Sequence, residues 1–140
     1  MSEWSSYKIL SFPAKELPDQ YKGLVYAKFL RSVKWDNEFF KLIDQDAYFN
    51  AYHLYLGSLL NRHNSVVKIA VLVDDPDVAL GWALIEPHKV HYCWVNPGNR
   101  QIGVASSLLA EPFDTFTHLS NTGLMLWQSK FAHAKFNPFA

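Results

Sequence analysis

The stretch from Ser65 to Val95 does most to limit what this chain can fold into. "SVVKIAVLVD" is apolar and β-branched, "VALGWALIE" follows it across the turn Asp74-Asp75-Pro76-Asp77, and "KVHYCWV" follows that across Pro87-His88. Runs of this length and composition, bounded by turn residues, read as strands. Three consecutive strands with short turns make an antiparallel meander, and a sheet of this kind must bury at least one face against another layer.

The covering layer is legible upstream, where the period changes from two to 3.6. "LPDQYKGLVYAKFLRSV" places Tyr21, Leu24, Val25 and Phe29 on one helical face, with Pro18-Asp19 as a start signal. "DAYFNAYHLYLGSLLNRHN" repeats that spacing through Tyr48, Tyr52, Tyr55, Leu56 and Leu59. Before them "YKILSF" (Tyr7 to Phe12) reads as a first strand ended by Pro13, and between them "WDNEFFKLID" reads equally as a short helix or an irregular stretch. After the meander comes "VNPGNRQIGVASSLL", which turns at Pro97-Gly98 and ends as a helix, and then "TGLMLWQ" (Thr122 to Gln128), expected as a further strand that can pair in parallel. The order β-α-α-β-β-β-α-β gives one α+β domain over residues 1–140, with a mixed, mostly antiparallel sheet flanked by helices.

With 49% hydrophobic residues and a formal charge of zero, the chain can build a real core and has no global basic field for nucleic acid. The charges are uneven: up to Glu86 there are eleven acids and nine Lys or Arg, and beyond it Lys89, Arg100, Lys130 and Lys135 face only Glu111 and Asp114. An anionic small molecule sits more easily on that second part. The single cysteine, Cys93, excludes an internal disulfide and a cysteine metal cluster. His88 and His91, three apart on a strand, face opposite sides, so no metal is expected. No apolar run approaches the ~18 residues of a membrane span, and "MSEWSSYKIL" lacks a secretory signal, so a cytoplasmic protein without a membrane partner is expected.

The corner "RQIGVASS" carries the first chemical signal. A helix start leaves backbone N–H groups without intrahelical partners and adds partial positive charge, which is where phosphates bind if the backbone can be approached. Gly103 and Ala105 have little side chain to block that approach, and Arg100 and Gln101 can add polar contacts. An ordinary strand-to-helix connection explains a lone Gly-x-Ala as well, and neither a P-loop nor a Gly-x-Gly-x-x-Gly pattern is present. The wider spacing goes further. Val95, Pro97, Arg100, Gly103, Ala105, Leu108 and Leu109 together resemble the acetyl-CoA signature of the GCN5-related N-acetyltransferases (GNAT), whose core is Gln/Arg-x-x-Gly-x-Gly/Ala. Here that core reads Arg100-Gln101-Ile102-Gly103-Val104-Ala105, and the element order from Tyr7 to Gln128 resembles the same fold.

The resemblance implies an acetyl-CoA-dependent transfer of an acetyl group to a primary amine of a small molecule or protein, by direct attack. It implies that backbone N–H groups of Gln101, Ile102, Gly103, Val104, Ala105 and Ser106 hold the pyrophosphate. Trp94 and Val95 would present backbone to the pantetheine arm in a splay between two strands, with a backbone N–H near Val95 polarising the thioester carbonyl. His91, which by strand parity would share a face with Cys93 and Val95, is the leading candidate base, set against a histidine satisfied by polar neighbours, and Glu86 is the second, set against a solvated charge at a turn. Cys93, among apolar strand residues, reads as packing rather than as a nucleophile. The acceptor amine is expected beside Phe29 to Tyr55, rich in aromatics.

Two departures from the family pattern stand out. No tyrosine follows Tyr92 to serve as acid for the leaving thiolate, and residues after Asn121 leave little room for a final β-hairpin, so the C-terminal part is expected to be shortened or rearranged. A second copy completing the sheet, as a homodimer, is one way to accommodate this. A catalytically silent CoA-binding, regulatory or assembly module is the alternative function.

Overall fold

The meander forms as its patterning requires. In a computed structural model that describes residues 6–35, 40–99, 103–119, 121–138 and 140, β1 (Tyr7–Pro13), β2 (Val66–Leu72), β3 (Ala79–Glu86) and β4 (His88–Val95) pair antiparallel in sequence order. Two further strands, β5 (Phe113–Phe116) and β6 (Lys135–Phe136), add in parallel beyond β4, so a six-stranded mixed sheet runs β1-β2-β3-β4-β5-β6. The two long helices α1 (Asp19–Trp35) and α2 (Gln45–Leu60) cover one face, and the short α3 (Val104–Leu108) packs on the other.

Alternation along the strands divides the core in two. Val67, Ile69, Val71, Trp82 and Leu84 point toward α1 and α2 and meet Val25, Phe29, Leu56 and Leu59, all fully buried. Ala70, Ala83, Val90 and Val95 point the other way and meet Val104, Leu108, Phe113 and Phe116. Each buried aliphatic or aromatic side chain contributes about 1.5–3 kcal/mol relative to exposure. That burial, rather than intrinsic propensity, holds helices of this length.

The connection between α1 and α2 is fixed from within. Lys34 is 1% exposed, and its Nζ donates to the carbonyls of Ile43 (2.6 Å) and Phe40 (3.2 Å) while lying over the rings of Trp35 and Tyr48. Those carbonyls belong to a 3₁₀ turn at Phe40–Leu42 and its exit, and Asp44 then caps α2 by accepting from the Ala47 N–H at 3.0 Å. The remainder of "WDNEFFKLID", residues 36–39, lies outside the described residues.

Two sequence expectations are corrected. "TGLMLWQ" is not a strand: Asn121–Lys130 is a helix, α4, and the parallel strand is "FDTF" at Phe113–Phe116. A short apolar run does not reveal its own period, and Leu, Met, Gln and Lys are straight-chain helix formers. The helix is secured where the Trp127 indole N–H donates to the Ala134 carbonyl at 2.8 Å, and Leu126 and Trp127 pack on the α3-side core.

The second correction concerns His91. Leu84 pairs with Tyr92 but Ile85 pairs with Val90, so His91 is an extra residue, a β-bulge in β4. It therefore does not share a face with Cys93 and Val95, which pack on the α3 side; its ring instead meets Glu86 and Thr117.

Candidate functional site

The bulge brings together groups from four parts of the chain. Glu86, at the end of β3, accepts from the His91 ring through Nε2 at 2.6 Å and from Arg62 Nη1, just past α2, at 2.7 Å. On the other side of the ring, His91 Nδ1 lies 2.9 Å from the Thr117 hydroxyl, and that hydroxyl lies 3.1 Å from His118 Nδ1. The result is a continuous path, Arg62–Glu86–His91–Thr117–His118, running from the end of α2 to the exit of β5.

Burial sets the charges along this path. It works against ionisation of Glu86, but the hydrogen bonds from His91 and Arg62 outweigh it and hold the carboxyl below its ordinary value. His91 has no exposed surface, and burial pulls its ring below the ordinary histidine value against the opposing pull of Glu86. His118 is pushed down to about 4, first by burial and then by His91. Near neutral pH the carboxylate is charged and both rings are neutral.

His118 faces the layer of α1 and α2. Its ring centroid lies 5.3 Å from Tyr55, 5.9 Å from Phe29 and 6.0 Å from Tyr52. Burial raises the phenols of Tyr52 and Tyr55, so these rings stay protonated. Beyond this point the sheet opens. Among the described residues the β4–β5 ladder ends at Val90–Phe116 and is continued by Thr117, whose N–H donates to the Val90 carbonyl at 3.0 Å and whose hydroxyl lies 3.3 Å from the His91 carbonyl, also within donating distance. β4 runs on to Val95 while β5 turns away, leaving a wedge whose wide end is the end leading into α3.

At that end Gly103 takes a φ of 84°, the left-handed region that favours glycine, and serves as N-cap of α3. The helix ladder begins with Ser107 N–H donating to the Gly103 carbonyl at 3.1 Å, so the N–H groups of Val104, Ala105 and Ser106 precede the first i→i−4 bond.

No protein-family model and no curated protein sequence matches the chain. Solved structures do. A Pyrococcus furiosus protein assigned as an acetyl transferase superposes with a TM-score of 0.52 at 16% identity, over 94% of this chain and 80% of that one. Escherichia coli YjaB, in its apo form, gives 0.49 at 17% identity over 75% of this chain and 63% of its own. A Staphylococcus aureus acetyltransferase of the GNAT family gives 0.44 at 20% identity over 75% and 62%. The chain has a GNAT-like fold.

Within the GNAT-like frame the residues singled out from sequence fall in distinct places. Glu86 and His91 are brought into one hydrogen-bonded pair. Trp94 is half-buried toward α1 with Lys28 Nζ 5.1 Å over its ring, and Val95 is buried opposite Gly81. Val104 turns inward and is fully buried, Ala105 is half-buried and Ser106 is exposed. Arg100, Gln101 and Ile102 lie outside the described residues. Sequence reading missed Arg62, Thr117 and His118. The only available signal was indirect: Thr117 and His118 follow a strand that was itself overlooked.

A separate cavity of about 340 Å³ opens at the opposite end of β4, between Ile85, Val90, Leu108, Leu109 and Phe113. It lies past the C-terminal end of α3, with Glu86 in its wall, and is distinct from the wedge.

Proposed function

We propose that this chain transfers an acetyl group from acetyl-CoA to a primary amine, the amine attacking the thioester directly. The observation that carries this reading is the early end of the β4–β5 ladder, beside a glycine-capped helix start. A parallel pair normally stays hydrogen-bonded along its length. Here β5 ends at Phe116 while β4 continues to Val95, from where the chain turns toward α3.

The residues present fit the co-substrate. A Cβ built on Gly103 would meet no heavy atom within 4 Å, so the space in front of that backbone is open. Ala105 is small and Ser106 is turned outward, so neither blocks an anion approaching the first turn. When bound, acetyl-CoA supplies an acyl group on a thiol leaving group. The chain supplies a place for the proton that the amine gives up, in the ionised Glu86 and neutral His91 pair. Direct attack is favoured over a covalent relay because burial pushes the thiol of Cys93 up to about 12, which keeps it protonated and poorly nucleophilic.

Two measurements test this. Acetyl-CoA at about a hundred times its Kd should stabilise the protein by roughly 2.7 kcal/mol, read as a raised melting temperature. Ser106→Glu, at an exposed first-turn position, should leave the fold intact and weaken that shift by placing a carboxylate where the pyrophosphate sits. An unchanged shift in this variant would remove the corner from the binding site. Thiol release over a panel of primary amines then separates a transferase from a silent CoA-binding module.

A further inference from the structure

His91 has both ring nitrogens engaged and no exposed surface, so it cannot itself meet an amine. The proton positions along its path follow from one ionised group. Glu86, as a carboxylate, only accepts, so the His91 nitrogen 2.6 Å away, Nε2, must carry the hydrogen. A neutral His91 then has a bare lone pair on Nδ1, and the Thr117 hydroxyl at 2.9 Å must donate to it. The Thr117 hydroxyl has one proton, and His91 Nδ1 at 2.9 Å is a closer acceptor for it than the His91 carbonyl at 3.3 Å; with the proton placed there, the remaining contact, His118 Nδ1 at 3.1 Å, donates to the Thr117 oxygen. This ordering holds His118 as the Nδ1–H tautomer and leaves its Nε2 as the basic atom.

We propose that His118 is the catalytic residue that takes the proton from the acceptor amine, with Thr117, His91 and Glu86 as positioning residues that fix its tautomer and receive the charge. The inference rests on the acetyl-transfer reading. As the amine nitrogen bonds to the thioester carbon, its N–H bond breaks and the proton passes to His118 Nε2. His118 then releases its Nδ1 hydrogen to the Thr117 oxygen, and Thr117 releases its own hydrogen to His91 Nδ1. One proton has entered at Nε2 and the positive charge rests on His91 beside the Glu86 carboxylate, with every atom's valence kept. The acetyl carbon–sulfur bond then breaks, the departing thiolate carries the charge that balances His91, and the proton returns along the same path in reverse, from His118 Nε2 to that thiolate, restoring every group.

The path answers a difficulty that His118 poses alone. The rings of Phe29, Tyr52 and Tyr55 surround it and burial holds it at about 4, so a charge left on it would be poorly supported. Moving the charge to His91 puts it within hydrogen-bonding distance of the charged group that His118 lacks, Glu86, whose pull on a charged His91 outweighs the repulsion from the nearby Arg62 and Lys89. The other titratable groups around His118 are the phenols of Tyr52 and Tyr55 on α2, which stay neutral.

The test uses the full chain and three readouts. In His118→Gln, acetyl-CoA affinity should stay within about twofold while amine-dependent thiol release falls roughly 100-fold or more, the range for losing a general base. Thr117→Val keeps shape and removes the hydroxyl; it should lower kcat with little effect on KM and displace the acidic limb of the pH profile. Ring-nitrogen NMR near neutral pH should show His118 as Nδ1–H and His91 as Nε2–H. An Nε2–H tautomer at His118 overturns the proposal whatever the activity, and so does thiol release in His118→Gln within twofold of the starting protein. Acetyl-CoA binding without thiol release for any amine overturns both this and the transfer reading, whereas intact transfer with the wrong tautomer overturns this alone.

Discussion

Lowering the pH from about 7.5 to about 5 should unfold this protein more readily, and His118 should account for a separable share of the loss. A histidine held below its ordinary value binds fewer protons folded than unfolded. Its contribution is therefore fully present above the ordinary value of 6.5 and is lost as pH falls from there toward about 4. At about pH 5 the unfolded imidazole is nearly all protonated and the folded one is about a tenth protonated, which costs about 2 kcal/mol; at about pH 7.5 the cost is close to zero. For a chain of this size each kcal/mol moves the melting temperature by roughly 2–4 °C, so the His118 share is roughly 4–8 °C. The assay is a pair of thermal melts, at both pH values, on the starting protein and on His118→Gln. Exposed histidines and carboxylates act on both proteins, so the difference between the two drops isolates His118. His91, held low by burial against the pull of Glu86, pushes both curves in the same direction. Drops that agree within about 0.5 kcal/mol would refute the reasoning, because they would mean that His118 titrates as freely folded as unfolded.

Two other perturbations test how the site is supported. Gly81 faces Val95 so closely that an added Cβ would lie 2.7 Å from the Trp94 carbonyl oxygen; Gly81→Ala should therefore force β3 from β4 and cost about 1–3 kcal/mol in a urea titration, and a neutral result would mean that the strands can separate freely there. Lys34→Met keeps the buried stem but removes the donor to the carbonyls of Phe40 and Ile43, so it should cost about 1–3 kcal/mol and speed hydrogen exchange between Phe40 and Ala47; unchanged exchange would show that the α1–α2 connection is held by something else.

The parts of the fold that were legible in sequence are those whose apolar residues repeat. Tyr21, Val25 and Phe29 recur at helical spacing and all are buried in α1; the meander from Val66 to Val95 is a series of near-continuous apolar runs, buried on both faces and bounded by Asp-Pro and Pro-His turns. The parts that were not legible have too few residues to show a period. "FDTF" offers only two inward residues, Phe113 and Phe116, and β6 has only Lys135 and Phe136, both exposed. Such strands exist because a neighbouring edge is available, which is information held by the sheet and not by the segment. The same limit applies to the β-bulge. His91 looks like one more residue in an alternating strand, and only the pairing of Ile85 with Val90 shows that it is supernumerary and turned toward Glu86.

The candidate site was half legible for a related reason. The corner proposed to hold the pyrophosphate is local, with Gly103 and Ala105 close in sequence and a requirement for small residues that any sequence displays. The proton path is not. His91 is 5 residues from Glu86 but 26 from Thr117, and Arg62 is 24 from Glu86. No spacing rule joins such positions, because each contact is made by a different strand or helix end. What joins them is the constraint that a half-buried carboxylate, a fully buried imidazole and a half-buried one must satisfy one another's hydrogen bonds. That constraint also turns a list of contacts into a direction. With Glu86 ionised, the Nε2 hydrogen of His91, the hydroxyl hydrogen of Thr117 and the Nδ1 hydrogen of His118 follow in order, and the nitrogen of the path left basic is Nε2 of His118.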